Sequence, residues 1–339
     1  MDTDLDAQLP VPPSNFLPPQ AVVDAGDRAR FAWDEFLASL SNHHTRRAYA
    51  AAIERLLALP SIVSLGGLHR IPPSAIALHI EHLTHRRTAR PCSPALRKRH
   101  LAAIRSFFDF CVRRHAIALN PAASVRGPRL APDVGSTVPL SHADALRLLR
   151  HLDTLQSTQP PPLARLVHRD KAIIAVLTFT AARVGAVARL RRADFRIAPE
   201  PALVLHEKNS RIRTIPCNRP LTRVLTEYLR AIGPADPHAP MFPRFIPASS
   251  NAVRRHHPQL LTARGILRMV RRRLNAAGIN APGVGCHSFR AGAATHLLEQ
   301  GIDLSAVQDL LGHRDPRVTR RYDHRGRLIA ASTVDRLAG

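Results

Sequence analysis

From Phe31 onward the chain is written mostly in helical periods. Tyr49, Ile53, Leu56 and Leu57 recur at spacings that put them on one helix face, with Thr45 placed to cap its start. A second apolar stripe runs from Pro73 through Ile76, Ile80 and Leu83. The third is the clearest: from Pro94, residues Leu101, Ile104, Phe108, Cys111 and Val112 share a face, and the pattern stops near Asn120 and Pro121. Arg97, Lys98, Arg105 and Arg113 fall mostly off that face, which gives this block a basic surface. Ahead of it, residues 1–25 hold Pro10, Pro12, Pro13, Pro18 and Pro19 among several aspartates, the composition of a flexible tail.

The helical writing breaks at 127–139, where Gly127, Pro128, Pro132, Gly135 and Pro139 argue for a linker. Beyond it, Ser141 with Asp144 resembles a capping box that opens a helix through Leu146, Leu148 and Leu149. Asp170 is placed to cap the next helix, whose residues from Ala172 to Phe179 are almost wholly apolar and therefore predicted to be buried. After Asp194 the pattern shortens. Ala202–Leu205 and Arg211–Ile215 are β-prone runs around Glu207-Lys208-Asn209-Ser210, a hairpin signal. A last long helix from Thr262 to Ala277 ends at Gly278 and carries Arg264, Arg268, Arg271, Arg272 and Arg273. The expected fold is mainly α, with a small β-hairpin or sheet in its second half.

Composition narrows the function. The 339 residues are enough for two cores, and 45% hydrophobic content excludes a disordered chain. Lys and Arg total 49 against 25 Asp and Glu, a formal charge of +24, which points to a polyanion and most simply to nucleic acid. Cys92, Cys111, Cys217 and Cys286 are scattered with no Cys-x-x-Cys pair, so disulfides and structural zinc are not expected. No apolar run is long enough to cross a bilayer, and the start Met1-Asp2-Thr3-Asp4 is acidic where a signal peptide is basic. These features predict a soluble, cytoplasmic protein in a reducing compartment, working where the DNA is, with no membrane partner.

The last quarter carries the chemistry. His287-Ser288-Phe289-Arg290 is followed by Leu311-Gly312-His313 and then by Tyr322. A metal enzyme would place carboxylates or thiolates beside such histidines. Here the company is cationic, and Tyr322 is the one plausible nucleophile. Imidazoles and guanidinium groups around a phenol suit phosphoryl transfer, which needs phosphate charge neutralised and protons moved.

Thr180-Ala181-Ala182-Arg183, Lys208 in a hairpin turn, His287-x-x-Arg290, and Leu-Gly-His313 with Tyr322 nine positions on are arranged as in one known family. Together they resemble the tyrosine recombinase (phage integrase) family. The resemblance implies that 26–126 is a helical core-binding domain that clamps DNA, and that 140–339 is the catalytic domain with a tail at 323–339. It implies that Tyr322 attacks the scissile phosphate to form a 3′-phosphotyrosine link, and that His287 accepts its proton. Arg183 and Arg290 would grip the non-bridging oxygens. His313 would donate a further hydrogen bond, and Lys208 would protonate the departing 5′-oxygen.

The same resemblance implies no cofactor and no metal, since cationic side chains replace the metal and the covalent link stores the phosphodiester. Arg97, Lys98, Arg105, Arg264, Arg268 and Arg272 are the DNA-contact candidates. The implied partner is double-stranded DNA with an inverted-repeat core site, bound by a homotetramer that is monomeric when free. Two other functions fit the pattern: a catalytically silent DNA-binding accessory factor, and a type IB topoisomerase. Two positions depart from the family. Ala181 stands where glycine is usual, which is strained if the turn needs a positive φ. Ala186 stands where glutamate is usual, so another group must orient the neighbouring charges. The tail residues Leu328, Ile329, Val334 and Leu337 are spaced for a short amphipathic helix, docked on its own unit or on a neighbouring subunit.

Overall fold

The computed structural model describes residues 17–63, 67–86, 88–129, 137–207, 211–245, 256–279 and 282–323. The chain divides into two compact units, Met1–Pro132 and Asp133–Gly339. Among the described residues no helix is long and apolar enough to cross a membrane.

The first unit holds α1 (Gln20–Asp24), α2 (Asp27–Ser39), α3 (His43–Leu57), α4 (Pro60–Val63), α5 (Pro73–Glu81) and α6 (Pro94–Arg113). Helix α6 is its spine. Ser93 caps it by accepting the Leu96 N–H at 3.3 Å, with Pro94 following in the first turn, where a missing N–H costs nothing. Its apolar face buries Leu101, Ile104, Phe107, Phe108 and Cys111. Phe107 meets Trp33 and Phe36 of α2 edge-on at 5.6 and 5.5 Å.

Three local expectations change here. Residues 20–24 form α1, with Ala21 and Val22 buried, so the segment expected to be flexible to residue 25 is ordered at its end; residues 1–16 lie outside the described residues. Asn42, not Thr45, caps α3, accepting from the amides of His44 at 2.9 Å and Thr45 at 3.3 Å. Helix α6 ends at Arg113 rather than near Asn120. There Asn120 makes a turn instead, accepting the Ala122 amide at 2.7 Å.

The second unit contains α7 (His142–Thr158), α8 (Pro161–Thr180), α9 (Val184–Arg189), α10 (Arg219–Ile232), α11 (Ala263–Ala276), α12 (Cys286–Glu299), α13 (Leu304–Leu311) and α14 (Pro316–Arg320). Strands β1 (Phe195–Arg196), β2 (Ala202–His206) and β3 (Ile212–Pro216) form an antiparallel sheet in sequence order. A second antiparallel pair joins β4 (Pro243–Phe245) to β5 (His256–Leu260). The β2–β3 hairpin is the one the sequence predicts, in a register that sets Leu205 opposite Arg213. β1 and the second pair were not anticipated: β1 and β4 are only two and three residues long, and β5, His-His-Pro-Gln-Leu, has no apolar alternation.

Helix α8 is the core of this unit. Ala172 through Leu177 are all fully buried, with α7, α10 and α12 packed around them. Ser141 caps α7 as expected, accepting the Asp144 amide at 3.0 Å. Asp170 does not cap α8, which already begins at Pro161; it is a fully buried mid-helix carboxylate. It pairs with Arg169 at 2.8 Å, Arg273 at 2.8 Å and Arg272 at 3.4 Å, tying α8 to α11. Burial without these partners would be prohibitive for a carboxylate.

The segment entering the unit is bound to α12. Leu140 N–H donates to the Ser288 carbonyl at 3.0 Å. A Cβ added at Gly292 would lie 1.7 Å from the Leu140 carbonyl oxygen. Only glycine permits this approach, which seats the helix carrying His287 and Arg290. Gly292→Ala is expected to destabilise the second unit by about 3 kcal/mol or more, since backbone must move to relieve the overlap. Thermal melting of the variant checks this, and an unchanged melting temperature would show that the contact yields freely.

Candidate active site

Four separate pieces of the second unit converge on one cavity of about 510 Å³, whose wall includes Arg183, Glu207, His287, Arg290, His313 and Tyr322. The first piece is the turn after α8. The Thr180 hydroxyl donates back to the Val176 carbonyl at 2.6 Å and accepts from the Ala182 amide at 3.3 Å. Ala181 then adopts φ 51° and ψ 27°, the left-handed conformation. The turn therefore does need a positive φ, and Ala181 supplies it at a cost of about 1–2 kcal/mol relative to an ordinary backbone. Its reward is sharp termination of a buried helix, which brings Arg183 out at the start of α9.

The second piece is α12. His287 lies in its first turn and is exposed, while Arg290, one turn on, is 1% exposed. The Arg290 guanidinium donates to the Ala181 carbonyl at 2.8 Å and to the Leu311 carbonyl. Its Nε is buried with no hydrogen-bond partner. Burial, then Arg183 and Arg213, push its pKa down to about 10, so it remains a cation at neutral pH.

The third piece is the end of α13. Gly312, in the left-handed conformation at φ 63°, closes the helix and turns the chain to His313. The His313 Nδ1 lies 2.9 Å from the buried Thr319 hydroxyl of α14. Asp315 caps α14 by accepting the Arg317 amide at 2.9 Å. Tyr322 follows directly, its ring 6.3 Å from that of His313 and inclined by 18°. Both imidazoles are held neutral. Partial burial, then Arg290 and Arg183, lower the pKa of His287, and the same causes with further cations bring His313 down to about 4.

The fourth piece is the β2–β3 hairpin. Glu207 accepts from Arg183 at 2.7 Å and from Arg213 at 3.1 Å. Arg211 donates to the Gly312 carbonyl at 3.1 Å. Lys208 lies outside the described residues, although its neighbours Glu207 and Arg211 both line the cavity. Glu207, Arg211, Arg213 and Thr319 were missed by sequence reasoning. For Glu207 a signal exists: it continues the period-two series Leu203, Leu205, whose members are fully buried.

The structure brings Arg183, His287, Arg290, His313 and Tyr322 to one cavity. The DNA-contact candidates separate. Lys98, Arg264 and Arg268 are exposed. Arg272 is exposed but leans toward Asp170. Arg97 donates to the Glu81 carbonyl at 3.2 Å, and half-buried Arg105 holds the carbonyls of Ala122 and Val125. Among the described residues no group of three or more histidine, cysteine or acidic side chains could hold a metal ion.

Comparison with known proteins agrees with this geometry. The phage integrase family model matches residues 140–327, which spans all four pieces. A tyrosine recombinase XerD of Listeria innocua is 31% identical over 232 residues, 68% of this chain and 72% of that protein. A tyrosine recombinase XerC of Chlamydia trachomatis is 30% identical over 67% of this chain and 66% of that protein. The fold is similar to that of XerH site-specific recombinase bound to a palindromic difH substrate, with a TM-score of 0.61, 18% identity, and coverage of 87% of this chain and 77% of that one. It is equally similar to a lambda integrase dimer bound to a COC′ core site, with a TM-score of 0.62, 18% identity, and coverage of 88% and 95%. The chain therefore belongs to the phage integrase family of tyrosine recombinases, enzymes that cleave and rejoin DNA.

Proposed function

We propose that this chain is a site-specific recombinase acting on double-stranded DNA at an inverted-repeat core site. It works as a homotetramer assembled on the DNA from free monomers, at the bacterial nucleoid. The observation that carries this reading is the convergence of Arg183, His287, Arg290, His313 and Tyr322 on one open cationic cavity.

The roles follow from charge and geometry. A scissile phosphate seated in the cavity meets Arg183, whose guanidinium keeps donors beyond the one given to Glu207. Arg290 contributes its fixed positive charge. His313, with Nδ1 engaged by Thr319, turns its other nitrogen to the phosphate. The Tyr322 oxygen attacks phosphorus while neutral His287 takes the phenol proton. The P–O5′ bond breaks, and Lys208 supplies the proton that the departing 5′-oxygen needs. The 3′-phosphotyrosine is then attacked by a 5′-hydroxyl of a second strand, with each proton retracing its path. Cations fixed before the reaction stabilise charge on the pentavalent phosphorus without reorganising.

Lys98 in the first unit, and Arg264 and Arg268 in the second, are the exposed cations suited to the DNA backbone. The tail beyond Asp323 lies outside the described residues. Its docking on a neighbouring subunit would link the setting of Tyr322 to assembly.

Tyr322→Phe removes only the nucleophilic oxygen. On a nicked suicide substrate that traps the covalent intermediate, the parent chain is expected to form a protein–DNA adduct in EDTA, and the variant none. DNA affinity should stay within about three-fold. An adduct with the variant would displace Tyr322 as nucleophile. No adduct with the parent would favour the silent accessory factor.

The pH dependence has a definite sign. The acid limb of the cleavage rate at subsaturating DNA reports the base of the free enzyme. A lowered pKa keeps His287 deprotonated, and so competent, below the usual imidazole value of about 6.5. The rate should fall only as pH drops through that lowered value. A limb centred at or above 6.5 would contradict His287 as the base.

A further inference from the structure

The cavity wall holds two carboxylates. Asp315 is exposed and spends itself on capping α14. Glu207 is different. Its side chain is 2% exposed, and its two oxygens take two different guanidinium groups. Oε2 accepts from Arg183 and Oε1 from Arg213. The partners arrive from different elements: Arg183 from the turn after α8, Arg213 from the strand paired with β2. Such a bridge anchors one amino group of the Arg183 fork on the hairpin, because a carboxylate oxygen directs the N–H it accepts.

The surroundings are shaped to this carboxylate. A Cβ on Gly312 would sit 3.3 Å from Glu207 Oε2 and 3.3 Å from Arg213 Nε, and the backbone there is at φ +63°. The glycine before His313 thus leaves room for the ion pair as well as allowing the turn. Arg213 also reaches the Asp309 carbonyl at 3.4 Å, so the Glu207 cluster touches the segment that carries His313. Ala186, at the position where a carboxylate was expected from the family pattern, is buried and carries no charge. The need for an anion among these arginines is physical. Arg183 disfavours the charge of Arg213 and of Arg290, Arg213 that of Arg290, and Glu207 is the carboxylate that opposes this.

We propose that Glu207 is a positioning residue for strand cleavage, holding Arg183 in the orientation that neutralises the scissile phosphate. The inference rests on the recombinase reading. In the step concerned, the Tyr322 O–P bond forms and the P–O5′ bond breaks. The phenol proton goes to His287, and the 5′-oxygen takes one from Lys208. Glu207 exchanges no proton and touches no reacting atom; it acts through Arg183.

The test compares the full-length parent with Glu207→Gln and Glu207→Asp in single-turnover cleavage on three suicide substrates. One carries a normal scissile phosphate. The second is a methylphosphonate, in which a methyl group replaces a non-bridging oxygen and removes the negative charge. The third has 5′-sulfur as leaving atom, which departs without protonation. Glu207→Gln is expected to slow cleavage of the normal substrate by about 100-fold. DNA affinity and melting temperature should hold, and Glu207→Asp should recover part of the rate.

On the methylphosphonate the defect should shrink by about ten-fold or more, because the charge that Arg183 must meet is gone. On the 5′-sulfur substrate it should persist. Rescue by sulfur without rescue by methylphosphonate would show that Glu207 acts through Lys208 and overturn the proposal. So would a folded Glu207→Gln that cleaves the normal substrate within about three-fold of the parent. If Glu207→Gln does not fold, the same comparison on Glu207→Asp decides. Failure of the parent itself to form any adduct would count against the recombinase reading and not against the ion-pair geometry.

Discussion

One buried guanidinium holds the site together. Arg290 donates to the Ala181 carbonyl, 109 positions earlier in the chain, and to the Leu311 carbonyl, 21 positions later. Both acceptors lie at helix C-termini, where the last carbonyls have no intrahelical partner and the helix dipole places partial negative charge. Two helix ends therefore solvate a cation that would otherwise be too costly to bury. The consequence is geometric. The turn that presents Arg183, the helix that presents His287, and the turn that presents His313 cannot move independently while this residue keeps its two bonds.

Burial and neighbouring charge then set the state of the two imidazoles. Several cations share a small volume with one buried carboxylate, so the free site is under-neutralised and an anion is the natural completion. Partial burial, and after it the same positive field, keep both imidazoles neutral: one can accept a proton, and the other can donate a hydrogen bond without adding charge. A metal would find no acidic cluster here among the described residues. The positive charge of the cavity is carried by guanidinium groups held by backbone carbonyls and by Glu207.

Much of this was legible in the chain because the relevant rules are local. The stripe on α6, the Ser141 cap and the β2–β3 hairpin are each written within a few residues, and the motif residues declare themselves by chemistry and order. What was illegible depends on partners distant in sequence. Asp170 looks like a cap until Arg272 and Arg273 arrive from α11. Arg105 looks like a surface cation until the segment at 122–125 folds back onto it. Glu207 looks like a turn residue unless its phase with Leu203 and Leu205 is noticed. The strain anticipated at Ala181 was readable because the φ requirement belongs to the turn itself.

The measurement that bears most directly on this account is amide hydrogen exchange on Arg290→Lys, which keeps the charge but cannot span both carbonyls. If Arg290 ties the pieces together, exchange becomes faster in the segments around Ala181–Arg183 and Leu311–His313 together, with the amides of α10 and of the β2–β3 pair unchanged. Parental protection in either segment would contradict it, because the pieces would then be held in place by something other than Arg290.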